Sequence, residues 1–201
     1  MRIRTLDDLE GIQDLMQRVY PPPTFGPEAV WGQRNLLRHL AYFNAGQFVA
    51  EAPDGAVIGT ATSLRLPMDR ALGPHTWLEI TGQGSLSTHF PGGEALYGVN
   101  IAVDPAWQGR GVARALYEAR LALARRLGCT AFVAGARIPG YAAVADEMSP
   151  EAYAAEVASG ARFDPTLTKQ MALGFEVKGL LRDYAPDPET LGHAALILLP
   201  L

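Results

Sequence analysis

The stretch Leu96–Leu127, LYGVNIAVDPAWQGRGVARALYEARLALARRL, decides how the rest of the chain is read. Leu96 to Val103 is an apolar run closed by Asp104-Pro105, the signature of a strand ended by a turn. Gln108-Gly109-Arg110-Gly111-Val112-Ala113 is a glycine-rich loop, and from Val112 the apolar residues Val112, Leu116, Ala119, Leu123 and Leu127 recur at helical spacing. Arg114 and Glu118 fall on another face. Arg125 and Arg126 suit the negative end of the helix dipole, and Gly128 suits the stop. Gly109 and Gly111 remove side chains where a ligand would approach, a helix start supplies unpaired N–H donors, and Arg110 adds a movable positive charge. A pyrophosphate fits all of these. The loop lacks the Lys-Ser/Thr pair of a Walker-type phosphate loop and the Gly-x-Gly-x-x-Gly spacing of dinucleotide folds.

Around this stretch the chain reads as a scaffold. Thr5 and Asp8 have capping-box spacing before a helix whose apolar face is Leu9, Ile12, Leu15, Met16 and Val19, stopped by Pro21-Pro22-Pro23. A second helix is expected after Pro27, from Glu28 to about Tyr42, with Val30, Trp31, Leu37 and Leu40 inward and Arg34 and Arg38 solvated. Gln47–Glu51 and Val57–Leu66 form a hairpin across Pro53-Asp54-Gly55. Pro67 to Gly93 is rich in Gly and Pro and reads as a long functional loop, with His75 and His89 as loop histidines lacking metal-ligand spacing. Thr130 to Ala134 is a short strand, parallel to the Leu96–Val103 strand because a helix joins them. Within Gly135 to Arg162, Ser149-Pro150-Glu151 starts a helix, and Asp164-Pro165 repeats the signal before Leu167 and Met171. Phe175–Leu181 and His193–Leu199 are the last two strands. No repeat, low-complexity tract or linker interrupts residues 1–201, so a single domain is expected.

Composition bounds the function. At 201 residues, with 48% hydrophobic and 19% charged, the sequence is globular and long enough for a sizeable core. A net charge of −4 with scattered Lys and Arg disfavours nucleic acid. One cysteine, Cys129, makes no internal disulfide and reads as a small buried residue, not a nucleophile. With no signal peptide and no apolar run of membrane length, a soluble protein of the reducing cytoplasm is expected, without a metal.

Val103-Asp104-Pro105, Gln108-x-x-Gly111-x-Ala113 and the amphipathic helix resemble the acetyl-CoA motif of the GNAT family of N-acetyltransferases. Leu173-Gly174-Phe175 matches the family's late Leu-Gly-Phe, so the resemblance spans nearly the whole chain. Ala134 to Tyr141, Asp146-Glu147-Met148 and Phe163-Asp164-Pro165 resemble one subgroup, acetyltransferase modules that occur alone or joined to carbon–nitrogen hydrolase domains; 201 residues leave no room for the hydrolase. The resemblance implies an α/β fold with a mixed, mostly antiparallel sheet of about six to seven strands, splayed between two parallel strands and flanked by helices. It implies acetyl-CoA as cosubstrate in that splay. The pantetheine arm would lie on the backbone of Ile101, Ala102 and Val103, and the pyrophosphate on N–H groups of Gly109, Arg110, Gly111, Val112 and Ala113. Gln108 either braces the loop or faces solvent.

The implied reaction is direct attack by an amine on the thioester. The family's central-strand Glu base corresponds to Tyr97 here, with Glu79 and Glu94 as flanking carboxylates. Its late Tyr acid corresponds to Gln170, and the usual upstream Asn is absent, Phe163 and Asp164 standing in its place. Tyr141, and after it Tyr184, are the candidates to replace the acid. Arg137, beside the cleft, would bind a substrate carboxylate or a CoA phosphate, with Asn100 and Glu79 as further substrate-facing residues. The expected partners are acetyl-CoA or another acyl-CoA and a small amine, with a homodimer through the C-terminal strands. The alternatives are a catalytically reduced acyl-CoA sensor or interaction module of the same fold, and a structural domain whose loop binds nothing.

Overall fold

The computed structural model describes residues 1–21 and 31–201. A seven-stranded sheet in the order β1-β2-β3-β4-β5-β7-β6 runs through the molecule. Its strands are β1 (Arg2–Ile3), β2 (Gln47–Glu51), β3 (Val57–Leu66), β4 (Ala95–Val103), β5 (Ala131–Arg137), β6 (Glu176–Leu181) and β7 (Ala194–Pro200). Only β4 and β5 pair in parallel; the other neighbours are antiparallel.

The first helix, α1 (Leu9–Val19), follows a 3-10 turn at Leu6–Asp8. The Thr5 N–H donates to Asp8 Oδ2 at 2.6 Å and closes the start. Leu9, Ile12, Leu15 and Met16 bury one face against Val49, Leu64, Tyr97 and Val99. Each such side chain contributes about 1.5–3 kcal/mol of apolar burial. Helix α2 (Gln33–Phe43) starts later than the sequence suggests; Trp31 before it is buried and Leu40 partly so, as expected, but the helix's fully inward residues are Leu36 and His39, and Leu37 is exposed. Pro22, Pro23, Pro27, Glu28 and Val30 lie outside the described residues.

The expected long loop, Pro67 to Gly93, contains two one-turn helices, α3 (Met68–Leu72) and α4 (Trp77–Thr81), the second started by a Thr76/Glu79 capping box. On the opposite face of the sheet, α5 (Val112–Arg126) buries Leu116, Tyr117, Arg120, Leu123 and Ala124. Val112 and Ala119, expected inward, are only partly buried. Helix α6 (Pro150–Ala158) begins at Ser149, whose Oγ accepts the Ala152 N–H, and α7 (Leu167–Met171) follows Asp164. Buried Asp164 ties the region together: it accepts the N–H groups of Gly140, Thr166 and Leu167 and the Tyr153 hydroxyl. β5 runs three residues beyond the predicted strand because Gly135, Ala136 and Arg137 pair with Leu196, Ala195 and Ala194 of β7.

Two irregularities of β4 position the site. Thr62 opposes Asn100 while Ser63 opposes Gly98, so Val99 is the extra residue of a bulge against β3. β4 pairs with β5 only from Ala95↔Ala131 to Gly98↔Ala134. Beyond that point β4 stays with β3 and β5 with β7, and the two strands part.

Candidate active site

A cavity of about 920 Å³ lies where β4 and β5 part. Ile101, Ala102 and Val103 form its β4 wall, and Ala134, Gly135 and Arg137 line it from β5. Gln108, Gly109, Gly111, Val112 and Ala113 stand at its mouth, so the strands and the glycine loop read from sequence converge.

The loop is built by backbone geometry. Gly109 (φ +73°) and Gly111 (φ +82°) both adopt the left-handed region, and a Cβ at either would meet nothing within 4 Å. That space is open to a ligand. No side chain caps α5, whose N-cap is Gly111, so the N–H donors of its first turn remain available to an anion. Gln108 Nε2 donates to the Val103 carbonyl at 3.3 Å, bracing the loop on the end of β4. Arg110 does not line the cavity; its guanidinium lies 5.1 Å from the centre of the Trp107 ring.

The cavity wall carries buried polar atoms that no group among the described residues satisfies: Asn100 Oδ1, Arg120 Nε and Nη2, Gln170 Oε1 and His193 Nδ1. Buried polar groups are ordinarily paired, so this concentration marks where a polar ligand belongs. Arg120 is 2% exposed and packs its guanidinium 4.3 Å from the Tyr117 ring centre and 5.0 Å from that of Phe132. Burial lowers its pKa, against the opposing effect of Tyr117. Among the described residues no carboxylate pairs with it. Gln170, standing where the resemblance leads one to expect a tyrosine, donates from Nε2 to the Tyr117 hydroxyl at 2.9 Å.

The remaining sequence candidates divide. Tyr184 lines the cavity and is 8% exposed; burial pushes its pKa up to about 12. Tyr97 is wholly buried behind it, its hydroxyl 3.0 Å from that of Tyr184, with its pKa driven well above 10 by burial. Asn100 lines the cavity and donates to the Tyr20 hydroxyl at 3.3 Å. Arg137 is on the wall, but its charge is matched by Asp187 (2.6 and 3.1 Å) and Glu189 (2.7 Å). Tyr141 does not line the cavity: it turns inward after β5, is 5% exposed, and its hydroxyl faces the Met148 carbonyl at 3.4 Å. Glu79 is also elsewhere, accepting the Thr76 N–H at 2.8 Å as the cap of α4. Glu94 accepts the Met68 N–H at 3.2 Å. Cys129 is buried, and burial raises its pKa, as an inert thiol requires. Arg120, Tyr117 and His193 line the site and were not singled out by the sequence, while His75, read from the sequence as a loop histidine, lies behind it with Nε2 2.8 Å from the Tyr97 hydroxyl.

Among the described residues, no three His, Cys, Asp or Glu side chains gather as metal ligands would, and no helix is long and apolar enough to cross a membrane.

Residues 9–145 match the Acetyltransferase (GNAT) family. The "Probable hydrolase YhcX" of Bacillus subtilis (strain 168) is 36% identical over 189 residues, 93% of this chain but 36% of that protein. The "Uncharacterized N-acetyltransferase YkwB" of the same organism is 30% identical over 197 residues, 98% of this chain and 86% of that protein. Among solved structures, the "GphF GNAT-like decarboxylase in complex with isobutyryl-CoA" superposes with a TM-score of 0.83 at 25% identity, covering 99% of this chain and 97% of that one. Several solved N-acetyltransferases superpose less closely, with TM-scores from 0.57 to 0.60.

Proposed function

The chain belongs to the GNAT acetyltransferase family, and from that membership we propose that it is an acyl-CoA-dependent N-acyltransferase that passes an acyl group, in the first instance acetyl, to the amine of a small molecule or peptide. The observation that carries this reading is the opening of the Gly109–Ala113 loop and the uncapped start of α5 onto the cavity between the parting strands. A CoA pyrophosphate is suited to that helix start, and its arm to the backbone of Ile101, Ala102 and Val103. The thioester then reaches the point where β4 leaves β5, near Asn100, Tyr117, Arg120 and Gln170.

The chemistry asked of the site is modest. An alkyl ammonium has a pKa of about 10.4, so the acceptor must lose a proton before its nitrogen attacks the thioester carbonyl. The C–N bond forms, the C–S bond breaks, and the electron pair leaves with sulfur. A thiol of pKa near 8.5 is a tolerable leaving group, and the cavity-facing Tyr117 hydroxyl, held by Gln170 Nε2, stands ready to protonate it.

The test is release of free thiol from acetyl-CoA across a panel of primary amines, with acylated product identified by mass spectrometry. Amine-dependent thiol release supports the reading. Binding of acetyl-CoA with no acylated amine anywhere in the panel overturns it in favour of an acyl-CoA-binding module.

One observation favours a second reading. Arg120 is a buried cation on the cavity wall with no carboxylate partner among the described residues, and one solved structure that superposes well is a GNAT-like decarboxylase. A donor whose acyl group carries a β-carboxylate would supply the missing anion. Loss of that carboxylate as CO₂ would break one C–C bond and leave an enolate to take a proton from water. Malonyl-CoA incubated without any amine separates the two: acetyl-CoA accumulates only under the second reading.

A further inference from the structure

Behind the cavity wall lies a chain of three hydrogen-bonding groups that the glycine loop does not touch. The Tyr184 hydroxyl is 3.0 Å from the Tyr97 hydroxyl, which is 2.8 Å from His75 Nε2. The other ring nitrogen, Nδ1, is 2.8 Å from the Gly73 carbonyl. Tyr184 faces the large cavity, Tyr97 is 0% exposed, and half-buried His75 lines a second, smaller cavity of about 300 Å³ with Arg70, Gly73, Pro74, Glu79 and Ile80. The three rings therefore link the two cavities along the α1 face of the sheet.

The direction of each bond follows from the donor inventory. A carbonyl oxygen only accepts, so His75 Nδ1 carries the hydrogen, and in the neutral ring Nε2 is then a bare acceptor. The Tyr97 hydroxyl must donate to that Nε2. Its single proton is thereby committed, so the bond between the two tyrosines runs from Tyr184 to Tyr97. The Tyr184 oxygen is left with lone pairs beside the cavity. Gly135 is what admits Tyr184 to this place, since a Cβ there would lie 2.5 Å from its Cζ.

We infer that Tyr184, Tyr97 and His75 form a proton relay that carries the acceptor amine's proton from the acyl-transfer cavity to the second cavity. This inference rests on the N-acyltransferase reading. The ammonium gives its proton to the Tyr184 oxygen as the Tyr184 proton passes to Tyr97 and the Tyr97 proton passes to His75 Nε2. Three O–H or N–H bonds form, three break, and neither tyrosine becomes an anion. The imidazolium then gives its Nδ1 proton to water in the second cavity, leaving Nε2–H; exchange of the ring protons with that water and rotation of the two hydroxyls restore the Nδ1–H ring and the starting bond directions before the next turnover. Neutral His75 is the required starting state; burial lowers its pKa, the Gly73 carbonyl and Glu79 act the other way, and Arg70 lowers it further. The relay places a base one step beyond the position at which Tyr97 stands in for the family's carboxylate.

Two measurements test this, one independent of turnover. The first is the ¹⁵N spectrum of His75 in the apo protein at neutral pH. The relay requires the Nδ1–H tautomer, and an Nε2–H tautomer would overturn it whether or not any amine is acylated. The second is the pH profile of kcat for wild type, Tyr97→Phe and His75→Gln, with acetyl-CoA affinity measured on each as a check of folding. Expected is a loss of about 100-fold in kcat near neutral pH with affinity unchanged, the variants regaining about tenfold per pH unit toward the amine's own pKa of about 10.4. A uniform loss at every pH, or none, would mean that the three rings only pack. Absence of amine acylation in the wild type sinks the N-acyltransferase reading instead and leaves the tautomer to decide on the relay.

Discussion

The guanidinium of Arg120 lies 4.3 Å from the ring centre of Tyr117, one helical turn back on α5, and that face is the best partner the protein offers it. Two of its nitrogens, Nε and Nη2, meet no hydrogen-bond acceptor at good geometry among the described residues, and Nη1 only reaches the Asn100 carbonyl at 3.5 Å. A buried cation without a counter-ion is unfavourable, and cation–π contact offsets only part of the desolvation.

Arg120→Met should therefore stabilise the apo protein. Replacing an uncompensated buried charge by an apolar side chain of similar length is expected to gain about 1 kcal/mol, which raises the melting temperature by about 2–4 °C in a chain of this size. Thermal unfolding without ligand measures it. A fall in melting temperature would show that the contacts with Tyr117 and Phe132 outweigh the desolvation. The variant's affinity for acyl-CoA should move the opposite way.

Gly111 separates two costs at the loop. At φ +82° any Cβ is strained by about 1–2 kcal/mol, although the space around it is empty. Gly111→Ala should lose about that much stability and still be stabilised by acetyl-CoA, by about 2.7 kcal/mol at a concentration of 100 Kd. Gly111→Glu adds a carboxylate beside the anion site and should abolish the ligand-induced shift. Thermal shifts of both variants with and without acetyl-CoA check this, and an undiminished shift in Gly111→Glu would remove the loop from the binding site.

His39 sets part of the pH dependence of folding. It is 0% exposed, with Nε2 2.7 Å from the Gly84 carbonyl and Nδ1 3.4 Å from Arg4 Nη1. That pattern suits only the neutral ring, donating to Gly84 and accepting from Arg4. Burial lowers its pKa to about 4, the Gly84 bond acting against this and Arg4 with it. Between about pH 6.5 and 4 the unfolded chain binds the proton and the folded one does not. Stability is thus full above about 6.5 and falls through that window by up to about 3 kcal/mol. Urea unfolding at several pH values should show this slope. His39→Gln, which keeps one acceptor and one donor, should flatten it.

How much of this was legible from the sequence depends on where the controlling chemistry lies. The order strand, turn, loop and helix over Leu96–Leu127 was legible because each boundary is local: Asp104-Pro105 ends β4, Gly111 begins α5 and Gly128 ends it. The length of β5 was not, because Gly135 and Ala136 have little strand preference and are extended by pairing with β7. Arg120 had one signal, a charge four residues after Leu116 and three before Leu123, on the apolar stripe itself. His75 had none, since its partner Tyr97 is brought to it only by the folding of the segment between them. The position of Tyr141 was misjudged for a related reason: nothing near it shows which way the chain turns after Gly140.

The parting of β4 from β5 leaves two sheet edges in the middle of the protein. From Val99 onward β4 has only β3 as a neighbouring strand, and from Gly135 onward β5 has only β7, so among the described residues each has one flank without a strand partner, touched on β4 only by single side-chain bonds such as Trp77 Nε1 to the Val99 carbonyl. Exposed flanks of this kind invite another chain to add itself as a strand, and proteins ordinarily guard them with charge, bulges or cover. Here the two flanks face each other across a wedge that closes at Gly98 and Ala134, inside the molecule rather than on its outer edge. Under the proposed function the wedge would receive the pantetheine arm of CoA, a slender chain lined with amides. The unfinished ladder would then be completed by the ligand itself, so that backbone amides and carbonyls take part in recognition before any side chain does.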